Sequence, residues 1–380
     1  MQILANCDIY TGENVVTDRA LVLGDGKVAD LVPLDQISGS NVMDMHGLSV
    51  APGFIDLQVN GGGDVLFNQE PNVEGLERIV HAHRRFGTTH ILPTFITGSE
   101  DGMRSATVAV NEYLSQGKNG ILGIHYEGPF LNPSKAGVHD TSYIQGSISS
   151  TFFDILLLNS HGVVMITLAP EIVPCDDIKK LAGMGVRVAI GHSAADGATC
   201  LAAIGAGASC ATHLYNAMSA LTSREPGAVG AFLASDNAWV DFIADGHHVD
   251  FISLRAAVNA KPRGKSFLVT DAMPPVGGSV GGYELGPYKV KVVKGKCVTD
   301  DGVLAGSALD MATAVRNCIQ KMSVPKDEAL RMASTYPAQY VGVDGQYGAL
   351  LPGYSASLAV FDNELNMFRT MIDGEWVVGN

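Results

Sequence analysis

Short, almost continuously apolar runs recur through the middle of the chain, and each is followed by a polar loop or a segment with helical spacing. Strands covered on both faces have this continuous apolar character, whereas half-exposed strands alternate between apolar and polar residues. Eight strands that alternate with helices predict an α/β fold, a TIM-like (β/α)8 barrel. The eight predicted strands are residues 49–60, 88–97, 120–127, 163–170, 186–192, 209–215, 239–245 and 266–271.

Helical apolar spacing is found in several of the segments between these strands, including 73–86, 176–184 and 195–204. After the eighth strand, residues 282–303 are rich in Gly, Tyr, Lys and Val. This composition predicts a β-hairpin inserted into the barrel, with its tip at Lys294-Gly295.

The two ends of the chain differ from the middle, because they contain short β-like runs separated by turns with Gly and Asp. Neither end is long enough to bury a core of its own. We therefore expect one small β-sandwich built from both termini, with the barrel inserted between its halves. The expected boundaries are 1–50 and 346–380 for the sandwich and 51–345 for the barrel with its hairpin.

The chain has 380 residues and a formal net charge of −14. This charge argues against nucleic acid as a partner, because such binding requires Lys and Arg to neutralise phosphates. An anionic ligand would require a local basic pocket. The six cysteines are scattered, the first residues do not resemble a secretory leader, and no apolar run approaches membrane-spanning length. These features predict a cytoplasmic protein with reduced thiols and no membrane partner.

Three predicted strands deliver a metal-ligating side chain where the strand ends: Glu127, His192 and His213. A single buried histidine is more often a core residue, but three such positions at the same end of parallel strands point to a shared site. One carboxylate and two imidazoles give Zn²⁺ three protein ligands and leave a position for water. The pattern therefore predicts a metal-dependent hydrolase.

Asp271 ends the eighth predicted strand and has no Lys or Arg within several residues to pair with. A carboxylate beside a metal-bound water can accept the proton of that water and return it to a leaving amine. The alternative role is to orient a histidine ligand. We expect Asp271 to act as the general base and acid.

Two further histidine patterns are not expected to bind a metal. His81 and His83 form an HxH pair inside a predicted helix, where positions i and i+2 point apart. His125 lies on the same strand as Glu127, and we expect it to support the metal ligands at most without binding the ion itself.

Residues 51–61, Ala-Pro-Gly-Phe-Ile-Asp-Leu-Gln-Val-Asn-Gly, resemble the first barrel strand of the amidohydrolase superfamily. Most members have two histidines in an HxH motif where this chain has Gln58 and Asn60. The resemblance implies a vestigial second metal subsite and one essential ion held by Glu127, His192 and His213. A weak second ion near the two amides remains open.

The motifs at 125–129, 191–193, 212–218 and 244–250 also resemble the N-acetylglucosamine-6-phosphate deacetylase family, and the resemblance runs from residue 51 to the tail. It implies that His139 polarises the acetamide carbonyl of the substrate. It also implies contacts with the sugar phosphate from Val138, His139, Asn216, Ala217, Arg224, His248, Leu304, Ala305 and Gly306. Arg224 suits a phosphate as a planar, permanently charged donor, and its alternative partner is the adjacent Glu225.

The resemblance implies hydrolysis of N-acetylglucosamine 6-phosphate to glucosamine 6-phosphate and acetate, in amino-sugar catabolism. The alternatives are the same reaction on the galacto epimer and, more remotely, an inactive amidohydrolase-like binding protein. One divalent ion per subunit is expected, zinc first, with iron, cobalt and manganese as alternatives. A homodimer is also implied, with a phosphate contact across its interface. Which subunit supplies Arg224 or His248 is open.

Overall fold

A computed structural model of the chain describes residues 1–37 and 41–377. Residues 38–40 and 378–380, which belong to the predicted sandwich segments, lie outside the described residues. The strands are β1 (Gln2–Ala5), β2 (Asp8–Tyr10), β3 (Val15–Val16), β4 (Arg19–Gly24), β5 (Lys27–Pro33), β6 (Val42–Asp44), β7 (Ser49–Pro52), β8 (Phe54–Val59), β9 (Gly61–Gly62), β10 (Val65–Leu66), β11 (Thr88–Ile96), β12 (Gly123–Glu127), β13 (Val163–Leu168), β14 (Arg187–Ile190), β15 (Cys210–Ala211), β16 (Trp239–Phe242), β17 (Ser266–Leu268), β18 (Gly282–Leu285), β19 (Tyr288–Val293), β20 (Lys296–Thr299), β21 (Leu304–Ser307), β22 (Leu358–Phe361), β23 (Met367–Ile372) and β24 (Glu375–Trp376).

The helices follow the strands of the central sheet and cover its outer face. They are α1 (Val73–Arg84), α2 (Glu100–Ser115), α3 (Ser150–Leu158), α4 (Cys175–Gly183), α5 (Gly197–Ala206), α6 (Gly227–Ala234), α7 (Phe251–Ala260), α8 (Met311–Met322), α9 (Lys326–Ala333) and α10 (Thr335–Val341). Side-chain caps begin several of them; for example, Ser99 accepts a hydrogen bond from Gly102 at the start of α2. No helix in the described part of the chain is long and apolar enough to cross a membrane.

The central sheet is a parallel (β/α)8 barrel, as the sequence predicts. Its eight strands follow one another in the order β8, β11, β12, β13, β14, β15, β16 and β17. A parallel bridge between Val59 and Ala272 and a hydrogen bond from the Asp271 N–H to the Gln58 carbonyl (3.0 Å) bring the last strand back to the first. Each predicted strand contains one of these eight barrel strands.

The first predicted strand, 49–60, is wrong as a single element, because it divides into β7 and β8. β7 belongs to the terminal sandwich, whereas β8 opens the barrel. The break falls at Gly53, where an added Cβ would lie 2.1 Å from the Thr89 side chain. This close approach accommodates only glycine, and it turns the chain from one sheet into the other.

The sandwich is formed by both ends of the chain, as predicted. It contains a four-stranded sheet in the order β5, β4, β1, β6 and a six-stranded sheet in the order β24, β23, β22, β7, β2, β3. In β22, Leu358 and Val360 enter the sandwich core, whereas Ala359 and Phe361 pack into the larger core that includes the barrel. β22 is therefore buried on both faces and joins the sandwich to the barrel.

The predicted hairpin is larger than expected, since β18 to β21 form a four-stranded antiparallel meander. The predicted tip is confirmed: Lys294 (φ 51°) and Gly295 (φ 81°) make the turn between β19 and β20. Leu285 and Val290 of the meander pack on Met273 beside the barrel mouth. The meander therefore forms one wall over the carboxyl ends of the barrel strands.

Candidate active site

The predicted site residues converge at the carboxyl ends of the barrel strands. Glu127 ends β12, while His192, His213 and Asp271 lie just beyond β14, β15 and β17. All four side chains are buried. The last three have positive φ angles, 48°, 35° and 52°, which residues other than glycine rarely adopt. Such backbone strain is typical of functional sites, where surrounding contacts fix the conformation.

Glu127 is the centre of a cluster of imidazoles. Its Oε1 lies 2.9 Å from His213 Nε2 and 3.3 Å from His192 Nε2, and its Oε2 lies 3.9 Å from His139 Nε2. The ligand atoms of Glu127, His139 and His192 all fall within 4.8 Å of one another. The structure thus brings together the three predicted ligands, and it places the Nε2 atom of His139 beside them.

The hydrogen bonds of His192 fit the role of a metal ligand. Its Nδ1 lies 2.8 Å from the main-chain carbonyl oxygen of Lys135. A carbonyl can only accept, so Nδ1 carries a proton and donates it to Lys135, and this bond fixes the ring with Nε2 facing Glu127. Together with the Glu127 carboxylate and His213, this donor set suits a divalent ion such as Zn²⁺.

Electrostatics within the cluster favour a charged Glu127. Burial opposes ionisation, but hydrogen bonds with His192 and His213 outweigh it and lower the pKa of Glu127 well below its usual value. Burial also works against the charged form of His213, yet its bond with Glu127 raises the His213 pKa to about 9. Burial and the nearby His192 lower the His139 pKa to about 3, which keeps His139 neutral.

The two amides at the HxH positions hold the site carboxylates together. Asn60 Nδ2 donates to Asp271 Oδ1 at 2.6 Å, and Gln58 Nε2 donates to Glu127 Oε1 at 2.9 Å and to Asp271 Oδ1 at 3.3 Å. Burial and the charge of Glu127 raise the Asp271 pKa to about 6. No described residue donates to Asp271 Oδ2, so this oxygen remains free to exchange a proton.

These groups line a cavity of about 550 Å³. Asp271, the Glu127 cluster and Asn60 lie on its wall, while Gln58 is buried behind it. Arg224 is exposed and lies outside this cavity, and Ala305 is buried behind the wall. The other predicted substrate contacts all line it: Val138, His139, Asn216, Ala217, His248, Leu304 and Gly306.

Three supporting residues were not identified from the sequence. Asp245 Oδ2 lies 2.7 Å from His248 Nδ1, which fixes the ring and leaves Nε2 for a ligand. Thr97 Oγ1 lies 2.8 Å from His139 Nδ1, and Lys135 lines the cavity beside His192. The only sequence signal was for Asp245, which lies inside the motif at 244–250.

The other histidine patterns lie outside the cavity. His83 is buried with Nε2 2.9 Å from the Gly61 carbonyl, whereas His81 on the same helix is exposed. His125 is fully buried, with Nε2 2.8 Å from Thr167 Oγ1. His83 and His125 thus have hydrogen-bond partners within the fold.

Comparison with known proteins gives consistent relatives along the whole chain. The chain is 40% identical to the N-acetylgalactosamine-6-phosphate deacetylase of Shewanella sp. (strain ANA-3), over 99% of this chain and 95% of that protein. It is 34% identical to the N-acetylglucosamine-6-phosphate deacetylase of Haemophilus influenzae, over 98% of both. The crystal structure of N-acetylglucosamine-6-phosphate deacetylase from Pasteurella multocida matches with a TM-score of 0.96 and 38% identity, over 100% of both chains.

The sequence profile of the amidohydrolase family matches residues 49–377, from the strand before the barrel to the end of the described chain. This match includes every residue of the Glu127 cluster and the Asp271 carboxylate. The chain therefore belongs to the amidohydrolase family, whose members are metal-dependent hydrolases.

Proposed function

We propose that this protein hydrolyses the acetamide of N-acetylglucosamine 6-phosphate, giving glucosamine 6-phosphate and acetate. The observation that carries the proposal is the free Asp271 Oδ2 in the same cavity as the Glu127 cluster. In that arrangement Asp271 can remove a proton from a water that attacks the acetyl carbonyl near the Glu127 cluster. Amide hydrolysis requires this proton transfer. The relative from Haemophilus influenzae, named for this reaction, supports the choice of substrate.

Glu127, His192 and His213 would hold one divalent ion per subunit. Zinc is our first choice for this donor set, and iron, cobalt and manganese ions also bind carboxylate and imidazole ligands. When bound, such an ion polarises the acetyl carbonyl and lowers the pKa of water. Side chains of the protein would carry out the proton transfer and stabilise the charge on the acetyl oxygen.

Asp271 is the proton carrier in this mechanism. Its Oδ2 accepts a proton from the water that attacks the acetyl carbon, while Asn60 and Gln58 hold Oδ1 in place. The carbon–nitrogen bond then breaks, and Asp271 returns the proton to the departing amine nitrogen. One carboxyl group therefore serves as base and then as acid.

His139 stabilises the negative charge that develops on the acetyl oxygen. This role requires a proton on Nε2, so the Thr97 hydroxyl must donate its one proton to Nδ1 at 2.8 Å and not to the main-chain oxygen of Glu127 at 3.3 Å. A neutral imidazole can provide this hydrogen bond, and the low pKa of His139 keeps the ring neutral.

The sugar phosphate would occupy the part of the cavity lined by His248, Asn216, Ala217 and the 304–306 loop. Arg224 is exposed outside the cavity of its own chain. This placement supports a homodimer in which Arg224 reaches the phosphate in the partner's cavity. The six free cysteines support a reducing, cytoplasmic location.

A second candidate substrate is N-acetylgalactosamine 6-phosphate, because the 40% identical relative from Shewanella sp. is named for it. The two substrates differ in the configuration of one hydroxyl group. Direct comparison of kcat/KM on the two phosphates would identify the preferred epimer. An inactive binding protein is the remoter possibility, and the complete set of Glu127, His192, His213 and Asp271 argues against it.

The test is acetate release from N-acetylglucosamine 6-phosphate before chelation, after chelation and after Zn²⁺ is restored. We expect turnover that disappears with the metal and returns with it, and much less turnover of unphosphorylated N-acetylglucosamine. Turnover of the galacto epimer alone would transfer the proposal to that substrate. A metal-loaded protein that releases acetate from neither phosphate would refute the proposed reaction.

A further inference from the structure

The charge of the cavity poses a problem for a phosphorylated substrate. Its wall carries the carboxylates of Glu127 and Asp271, and the chain as a whole has a net charge of −14. Among the described residues that line the cavity, Lys135 is the sole lysine or arginine. A dianionic group that enters this cavity would therefore meet one permanent positive charge from the same chain.

The ammonium group of Lys135 has unused donors. Lys135 ends a short 3-10 turn (Pro133–Lys135), and its half-buried side chain reaches across to the carbonyl oxygen of Met218 at 3.3 Å. That is the single hydrogen bond described for Nζ, which carries three protons. Met218 directly follows Asn216 and Ala217, which also line the cavity. The ammonium thus lies beside the loop where the sugar phosphate is proposed to bind.

The main chain of Lys135 has a separate role. Its carbonyl oxygen accepts the hydrogen bond from His192 Nδ1 at 2.8 Å. One residue therefore fixes a ligand of the Glu127 cluster through its backbone and presents a cation to the cavity through its side chain. Substitution of the side chain leaves the carbonyl in place, so the two roles can be tested separately.

We propose that the Lys135 ammonium binds the phosphate group of the substrate and makes the enzyme selective for phosphorylated amino sugars. The proposal rests on the proposed deacetylase function. A charge-assisted bond to a phosphate oxygen is among the stronger hydrogen bonds in proteins. Lys135 would thus supply from within the chain the positive charge that Arg224, outside the cavity, does not.

The experiment compares Lys135→Met and Lys135→Arg with the unmodified protein and with Lys179→Met. Lys179 is an exposed lysine on α4, outside the cavity. For each protein, kcat and KM are measured on N-acetylglucosamine 6-phosphate and on unphosphorylated N-acetylglucosamine. The affinity for inorganic phosphate is measured by calorimetry, and bound metal is quantified.

We expect Lys135→Met to lower the ratio of kcat/KM between the phosphorylated and unphosphorylated substrates by about tenfold to a hundredfold. The loss should appear mainly in KM, and inorganic phosphate should bind more weakly by a similar factor. Lys135→Arg should keep most of the selectivity, Lys179→Met should keep all of it, and metal content should stay constant.

If Lys135→Met lowered kcat/KM equally on both substrates, the role of Lys135 would be overturned. Unchanged selectivity together with unchanged phosphate affinity would overturn it as well. If the unmodified protein deacetylates neither phosphate, the proposed function fails by itself. The calorimetric comparison then still decides whether Lys135 binds phosphate.

Discussion

The barrel mouth and the terminal sandwich bury opposite kinds of side chain. The mouth contains the buried carboxyl groups of Glu127 and Asp271, together with several imidazoles. The sandwich core contains apolar side chains such as Leu4 and Leu358. Burial of charged groups costs free energy unless they are paired, whereas burial of apolar groups releases it. The sandwich core therefore stabilises the fold, and part of that free energy offsets the cost of burying the charged groups at the mouth.

The contrast extends to the backbone. Three site residues at the mouth have left-handed backbone conformations, and His213 is held there by its N–H bond to Asp241 Oδ1 at 2.5 Å. In the sandwich, by contrast, β22 pairs in regular antiparallel register with β7. Substitutions at the mouth should therefore affect activity first, and substitutions in the sandwich core should affect stability first.

The largest effect is expected for Asp271→Asn at the mouth. Loss of the proton carrier should lower kcat by about 10²- to 10⁴-fold, while metal content stays unchanged. The free energy of unfolding at pH 7 should not fall, because burial disfavours the charged form of this carboxyl group. Steady-state kinetics, metal analysis and urea denaturation measure the three quantities. Near-normal turnover would remove Asp271 from the mechanism.

In the sandwich core, Leu358→Ala should show the reverse pattern. Leu358 is fully buried, so its truncation should lower the free energy of unfolding by about 2–5 kcal/mol. The kcat of the folded protein should remain unchanged. Leu157→Ala is the matched control, since Leu157 is 72% exposed and should change neither quantity. A fall in kcat with Leu358→Ala would show that the sandwich takes part in catalysis.

The smallest effect is expected for Asn60→Ala, which removes the 2.6 Å bond to Asp271 Oδ1. Asp271 keeps its bond from Gln58, so we expect kcat to fall by about tenfold with little change in KM. Asn111→Ala removes an asparagine hydrogen bond far from the cavity and should leave kcat unchanged. A rise in KM with constant kcat would instead make Asn60 a binding residue.

The sequence predicts the barrel and the central cluster because both depend on local patterns. Each barrel strand lies in a largely apolar run, and Glu127, His192 and His213 lie where such runs end. The division of the first run at Gly53 is not visible locally, because it depends on the position of Thr89 on another strand.

The supporting contacts of the site were missed for a similar reason. Lys135 lies in a polar turn that resembles any surface turn, and its position in the cavity depends on Met218, far along the chain. Thr97 is one of many threonines, and only its contact with His139 distinguishes it. Residues that act through long-range contacts thus carry little signal in a single sequence.

The pairing of β7 with β22 has a consequence for the synthesis of the protein. The whole barrel lies between β7 and β22 in the chain, so the six-stranded sheet is completed only after the barrel segment has been synthesised. Until then, the nascent chain presents an unpaired β7 edge and the apolar faces around it, which are features that favour aggregation. A chain shortened before β22 would keep this edge exposed permanently. The sheet therefore distinguishes chains that contain β22 from chains that lack it.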